Sequence, residues 1–304
     1  MIETHGVRAG CRLLVSGYGR GAYGAAVADA GRAVDTPSWD GHLLLLHQSE
    51  GDRLVRLAEW VRRGPDGGEK VLYTDGPDPA HSSILNHLRG QGIDVGAATA
   101  EGRFELLPLT AFYPSQGQGV VVDRALDEGF PAVRLSAEVA AALSVLTPQA
   151  YRDIEQNVDR LCRTRPVSAL CQYGRSTTVG PVLGAAVATH PRGVRELMFD
   201  STASPAGLVL HGEIDVDNAD VLVAVLGAGL AAALSSGRDE LRLDLAGLGF
   251  LDVAACRAIA DTSRVFRATG RRLLLVGPPP LVAWVMGLVG LTDAPGVALV
   301  GSAR

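Results

Sequence analysis

The stretch DGHLLLLHQSEGDRLVRLAEWVRRGPDGGEKVLYTDG, Asp40 to Gly76, decides the architecture. It opens on a short apolar run, HLLLLHQ, passes through DRLVRLAEWVRR with apolar residues at helical spacing, and returns to a second short run, KVLYTDG. The rhythm continues through SSILNHLRGQG, FELLPL, PAVRLSAE and the helical AYRDIEQNVDRLCR to VSALCQYGRS, which ends at Ser176 and reads as a buried strand. Strands that alternate with helices mark an α/β layer with a largely parallel sheet. This part spans residues 35–191.

A stretch rich in glycine, proline and serine follows, from GPVLGAAVATHPRG to DSTASPAG, with weaker periodicity. The domain boundary is placed near Arg192, and the second domain covers residues 192–304. It reads ELMFDS, LVLHGEID, a helix through DVLVAVLGAGLAAAL, the strand ELRLDLAG, the helix AACRAIADTSRVFRA, the strand RRLLLVGP and a last helix around LVAWVMGLVGL. Leu222, Leu226, Leu230 and Ala233 share one helix face, and Ala255, Ile259, Thr262 and Phe266 share another. Both helices are expected to pack on a sheet. Residues 1–34 form a leader of uncertain structure. There GRGAYG, Gly19 to Gly24, formally satisfies the dinucleotide-binding pattern. The next strand ends in His47 and Gln48 rather than in the acidic residue that pattern needs.

Composition excludes several classes. The chain has 304 residues, 47% of them apolar and 20% charged, enough for one large or two ordinary domains. A net charge of −5 with scattered arginines gives no electrostatic footprint for nucleic acid. No apolar run reaches the roughly twenty residues a membrane span needs, and the N-terminus lacks a signal peptide's basic start and apolar core, so a cytoplasmic protein is expected. Cys11, Cys162, Cys171 and Cys256 are widely spaced and fit a reduced compartment. His42 and His47 lie outside any helical i, i+4 relation, and no Cys/His cluster has the spacing of structural zinc, so no protein-built metal site is expected and the cofactor is unknown.

Near the C-terminus, FLDVAACRAIA, Phe250 to Ala260, places an aspartate where a strand turns into an apolar helix, and Asp252 is expected to cap that helix. LVLHGEIDVDNADVLVAVL, LRLDLAGLGFLDVAACRAIA and RRLLLVGPPPLVAWVMGLVGL together resemble the STAS domain of bacterial anti-sigma factor antagonists, through the GEID strand end, the LDLAGLGFLD strand and loop, and the closing GL. The resemblance implies a sheet flanked by helices on one side and partner binding through the helix that begins at this loop. It also implies a loop of the form D-S-[ST]-G, whose first hydroxyl is phosphorylated by a partner kinase that is itself the anti-sigma factor. Here Asp252 matches the aspartate, while Val253, Ala254 and Ala255 stand where the two hydroxyls and the glycine belong. Valine has no oxygen to receive phosphate, so the switch chemistry is absent and the surface of Asp252, Val253, Arg257 and Asp261 is left as a partner-binding candidate.

The Asp40–Gly76 stretch, with ALCQYG at Ala169 to Gly174, is similar to the MEDS sensory domain, through His42 opening the first strand, Gly68, Glu69 and Tyr73 around the second, and Cys171 and Tyr173 in the late strand. That resemblance implies a small-molecule sensor laid out like a RecA-type core. A phosphate-binding P-loop needs GxxxxGK[ST], whereas this chain reads HQSEGDRL with Glu50 and Asp52 at that place, so nucleotide hydrolysis is not expected. The pair of serines after His81 reads as a helix cap. Small ligands in open α/β sheets sit beyond the carboxyl ends of strands. His47, Gln48, Thr74, Asp75, Cys171, Gln172 and Tyr173 lie at such ends, and His42, His47, Tyr73, Cys171 and Tyr173 are the ligand-binding or redox-sensing candidates.

The expected molecule is an α/β protein: a RecA-like parallel-sheet sensory domain followed by a smaller STAS-type α/β domain. Its expected role is that of a non-catalytic cytosolic regulator, anti-sigma factor antagonist-like, in which a small-molecule or redox sensor modulates a STAS domain that lacks the phosphorylatable serine. Its expected partner is an anti-sigma factor or related kinase-type protein, without nucleic acid or membrane. The alternative is a ligand-binding sensor whose STAS-like part only dimerises, with AWVMGLVGL as the apolar surface.

Overall fold

Four successive leucines, Leu43 to Leu46, can all be buried only in a strand covered on both faces, and each is at most 2% exposed. They form the centre of β1 (His42–His47) in a computed structural model that describes residues 39–76 and 84–301. GRGAYG and the serines after His81 lie outside the described residues. After β1 come α1 (Glu50–Asp66), β2 (Lys70–Thr74), α2 (Ile84–Gly90), α3 (Val95–Ala100), β3 (Phe104–Leu106), α4 (Leu109–Phe112) and α5 (Gly119–Asp127). β4 (Val133–Glu138), α6 (Val139–Leu143), α7 (Pro148–Thr164), β5 (Val167–Gly174) and α8 (Gly180–Thr189) complete the first half.

The second half contains β6 (Gly193–Arg195), β7 (Phe199–Ser204), β8 (Gly207–Ile214), α9 (Ala219–Ser235), β9 (Glu240–Leu251), α10 (Val253–Ala268), β10 (Arg272–Val276), α11 (Pro280–Leu288) and β11 (Val297–Val300). β11 lies beyond the elements expected from the apolar pattern. It pairs in parallel with β10 through Leu273 to Val276.

All these strands join one 11-stranded sheet in the order β11-β10-β9-β8-β7-β6-β1-β5-β4-β2-β3. Every neighbouring pair is parallel except β6–β7 and β7–β8, so β7 alone runs against the rest. The sheet therefore passes without a break across Arg192. β6 is hydrogen-bonded to β1 on one side and to β7 on the other.

The apolar core is equally continuous there. Leu44 and Leu46 of β1 and Leu183, Ala186 and Val187 of α8 belong to the same buried cluster as Leu222 and Val225 of α9 and Ile259 and Phe266 of α10. Leu230 and Thr262 sit at the margins of their expected faces, while Leu222, Leu226, Ala233, Ala255, Ile259 and Phe266 are buried. Leu43 and Leu45, on the other face of β1, pack with Leu57, Val61 and Tyr73 in a separate cluster under α1.

The β6–β7 crossing depends on Gly193, whose φ is +136° and where an added Cβ would lie 2.0 Å from the Ser201 carbonyl oxygen. Backbone cannot yield as a flexible side chain can. Gly193→Ala is therefore expected to lower stability by on the order of 3 kcal/mol. Gly68→Ala, at φ +73° with nothing within 4 Å of the added carbon, is expected to cost only about 1 kcal/mol. Equilibrium urea unfolding of both variants checks the contrast, and equal losses would remove the close approach as its cause.

Candidate functional site

Strand alternation sorts the residues expected in one crevice onto two faces of the sheet. His42 lies on the face of Leu44 and Leu46, and Cys171, in register with Leu44, lies on the same side with Tyr173. Tyr73 and Gln172 point to the opposite face, under α1, and His47 is influenced there by Arg53, Glu50 and Asp52. His42, Cys171 and Tyr173 are thus brought together, and His47 and Tyr73 are not part of that group.

Under α1 the centre is Arg53, 2% exposed. Its Nη1 donates to Tyr73 Oη at 2.7 Å and to Gln172 Oε1 at 2.9 Å, and its Nε donates to Glu50 Oε2 at 2.7 Å. Gln172 Nε2 donates onward to Ser136 Oγ at 2.8 Å, and Tyr73 Oη donates to Asp75 Oδ2 at 3.1 Å. Burial raises the Tyr73 phenol above its ordinary range. The N-terminus of α1 is closed by a capping box: Ser49 Oγ accepts from the Asp52 amide and Asp52 Oδ2 accepts from the Ser49 amide, each at 3.2 Å. Carboxylates and a capping box occupy the place where a P-loop would present free amides.

On the other face a second polar group is buried beneath α7 and α8. Tyr151, Glu155, Val158 and Cys162 make the buried stripe of α7, so Glu155 projects inward where an apolar residue would be expected. Its Oε2 lies 3.2 Å from His42 Nε2 and 3.2 Å from His190 Nε2, and its Oε1 accepts from Tyr173 Oη at 3.4 Å. His190 follows the last residue of α8, and its Nδ1 donates to the Ala186 carbonyl at 2.6 Å. The two imidazoles lie 4.2 Å apart between centroids, tilted by 45°, and His42 Nε2 lies 3.4 Å from Cys171 Sγ. His42 Nδ1, His190 Nε2 and Glu155 Oε2 make no hydrogen bond.

The electrostatics follow from enclosure. Burial, and then His190, lowers the His42 pKa and keeps that ring neutral. Burial acts to raise Glu155, but the two histidines outweigh it and hold the carboxyl well below its usual range. Burial, with the Glu155 carboxylate beside it, pushes the Cys171 thiol well above its ordinary value. A reactive redox thiol needs the reverse, a lowered pKa and exposure. Beside Cys171 and Glu155 lies a cavity of about 20 Å³, also bordered by Gln118, Tyr113 and Tyr151.

At the other end of the molecule Asp252 is the N-cap of α10, and its Oδ1 accepts from the Ala255 amide at 2.8 Å. Val253, 43% exposed, shares an exposed face with Arg257 and Asp261, and Asp261 pairs with Arg264. Ser263 is buried, and Thr262 Oγ1 donates to the Ala258 carbonyl.

Residues 41–191 match the family model of MEDS, the methanogen/methylotroph, DcmR sensory domain, and residues 197–301 match the model described as Mlab, STAS domain. The chain is a MEDS sensory domain followed by a STAS domain. No curated protein matches it. Among solved structures, the anti-sigma factor antagonist SpoIIAA in its unphosphorylated form is 20% identical over 34% of this chain and 87% of its own, with a TM-score of 0.27. The KaiC-like protein PH0186 from Pyrococcus horikoshii OT3 is 11% identical over 57% of this chain and 79% of its own, with a TM-score of 0.38. Neither likeness bears on function. Among the described residues no helix is long and apolar enough to cross a membrane.

Tyr73 belongs to the Arg53 hydrogen-bond network, and His47 lies on the same face of the sheet outside it. Arg53→Met leaves the Gln172 carbonyl and the Tyr73 hydroxyl without their donor inside the fold and is expected to cost about 3 kcal/mol in urea unfolding. A loss below about 0.5 kcal/mol, the range of ordinary surface changes, would show that the network contributes little.

Proposed function

We propose that the chain is a non-catalytic cytosolic regulator in which the MEDS half, residues 35–191, senses a small molecule and thereby alters partner binding by the STAS half, residues 192–304. The observation that carries this reading is the packing of α8 on α9. The last turn of α8 leads into His190 of the buried polar centre, while Leu183, Ala186 and Val187 share one apolar core with Leu222 and Val225 of α9. A ligand that binds two settings of α8 with different affinity shifts the STAS surface by that difference.

The partner surface in this reading is the start of α10, with Asp252, Val253, Arg257 and Asp261, and the partner is a kinase-type anti-sigma factor. A hydroxyl at position 253 would let such a partner switch the contact off by phosphorylation. With Val253 in its place, release is left to the sensing half. The second reading, a sensor whose STAS half only dimerises, draws on α11, where Leu281, Trp284 and Leu288 are exposed. Spaced by three and four residues, they share one face.

Native mass spectrometry of the full-length protein purified from its own host separates the readings. The partner reading expects a co-purified protein that Arg257→Glu removes and that ATP does not release, with no phosphate gained at residues 252–256. A dimer that Trp284→Ser returns to monomer, carrying no second protein, would replace it with the dimerising reading.

A further inference from the structure

His42 of β1, Glu155 of α7, Cys171 of β5 and His190 after α8 each direct one ligand atom to a common point, all within 4.8 Å of one another. We propose that these four side chains bind a single divalent transition-metal ion of the zinc class through two imidazole Nε2 atoms, one carboxylate oxygen and one thiolate.

The distances fit such an ion. Zinc-like bonds of about 2.0–2.1 Å to nitrogen, about 2.0–2.2 Å to oxygen and about 2.3 Å to sulfur imply tetrahedral edges of about 3.4 Å between nitrogen and oxygen and about 3.6 Å between nitrogen and sulfur. The two nitrogen–oxygen separations here are 3.2 Å, and the nitrogen–sulfur separation is 3.4 Å. Glu155 Oε2 faces the two imidazole nitrogens at 3.2 Å without hydrogen-bond alignment, and neither it nor His190 Nε2 has another polar partner. With His190 Nδ1 held by the Ala186 carbonyl, Nε2 is the ring nitrogen turned toward Glu155, the orienting contact usual for a ligating histidine.

Charge and chemistry agree. Two neutral imidazoles, one carboxylate and one thiolate neutralise a divalent cation, so the occupied centre carries no net charge into the interior. On binding, the Cys171 S–H bond breaks, a sulfur–metal bond forms and one proton leaves to solvent. A mixed nitrogen, oxygen and sulfur set suits zinc, cobalt or ferrous iron and not calcium or magnesium, which take oxygen alone. The neighbouring cavity of about 20 Å³ borders Glu155, Cys171 and Gln118, which is 2% exposed with neither amide atom bonded. That is about the space of one water-sized molecule, placed to reach the ion.

The inference rests on the sensing reading only for its consequence, that occupancy fixes the end of α8. Its test uses the metal alone. Full-length protein stripped with a chelator is titrated with Co²⁺, and zinc is then added in competition. The expected result is one cobalt per chain, with the intense visible bands of tetrahedral cobalt and a near-ultraviolet thiolate-to-cobalt band, all abolished by zinc. Cys171→Ser should lose the thiolate band while keeping visible bands, and His190→Ala should weaken binding by more than the roughly 10–100-fold that loss of a supporting contact costs. If His190→Ala does not fold, the Cys171→Ser spectrum decides. Folded wild-type protein that takes up neither cobalt nor zinc would overturn the site and leave a metal-free ion pair, as would a cobalt spectrum unchanged by Cys171→Ser. Partner capture is read separately, so metal-free protein that still binds its partner discards this inference alone.

Discussion

A carboxylate with almost no access to water is the constraint around which the first half is arranged. Glu155 is 3% exposed, and a carboxylate so enclosed persists as an ion only if opposite charge or strong donors surround it. Its surroundings come from every layer: His42 from the central strand, Tyr173 from the neighbouring strand, His190 from the end of α8. None of these elements can shift by a turn without leaving the carboxylate exposed to apolar surroundings. The group therefore ties α7 and α8 to the middle of the sheet.

α8 in turn packs on the second half. The second half does not hang from the first by a linker: β6 extends the sheet from β1, β7 reverses direction, and β8 resumes it. The chemistry of the crossing is local, with Gly193 admitting the Ser201 carbonyl where a side chain would block it. Close-packed interiors transmit displacement because they hold few voids to absorb it. A single apolar cluster running from Leu44 through Ala186 to Phe266 is such an interior.

Much of this was legible in the residue pattern. Alternation of apolar runs and helical stretches marked the α/β layers, GEID and LDLAGLGFLD marked the STAS half, and His42, Cys171 and Tyr173 were singled out on the strands that now hold them together. The same pattern misplaced His47 and Tyr73 as companions, because the run of buried residues hides which face each one takes. A period of two counted from His42 separates His47, whereas the face of Tyr73 follows only from the register of β2 on β4 and of β4 on β5. Glu155 carried a readable signal, since it replaces an apolar residue in the Tyr151, Val158, Cys162 stripe. His190 carried none. It follows the end of a nearly all-apolar helix, and only the tertiary path of the chain brings it to residue 42. A zinc search by spacing passes over His42, Glu155, Cys171 and His190 for the same reason, because it looks for local neighbours, whereas these are separated by most of the first half.

The C-terminal loop then bears on how information enters the molecule. A phosphorylated hydroxyl at a helix N-terminus is held by the amides and the dipole, and its charge is what an acidic neighbour or an apolar interface rejects. Val253 presents instead an exposed apolar side chain next to a capping carboxylate, with Arg257 and Asp261 one and two turns along. Position 253 offers no oxygen to which phosphate could be transferred. The elements behind that surface are α9 and the sheet. In this chain those are continuous with the half that holds the buried histidines, the carboxylate and the thiol. In the proposed reading, Val253 and the continuous core are complementary: the first leaves the STAS surface without a local phosphate acceptor at that position, and the second offers a path to it from the sensing half.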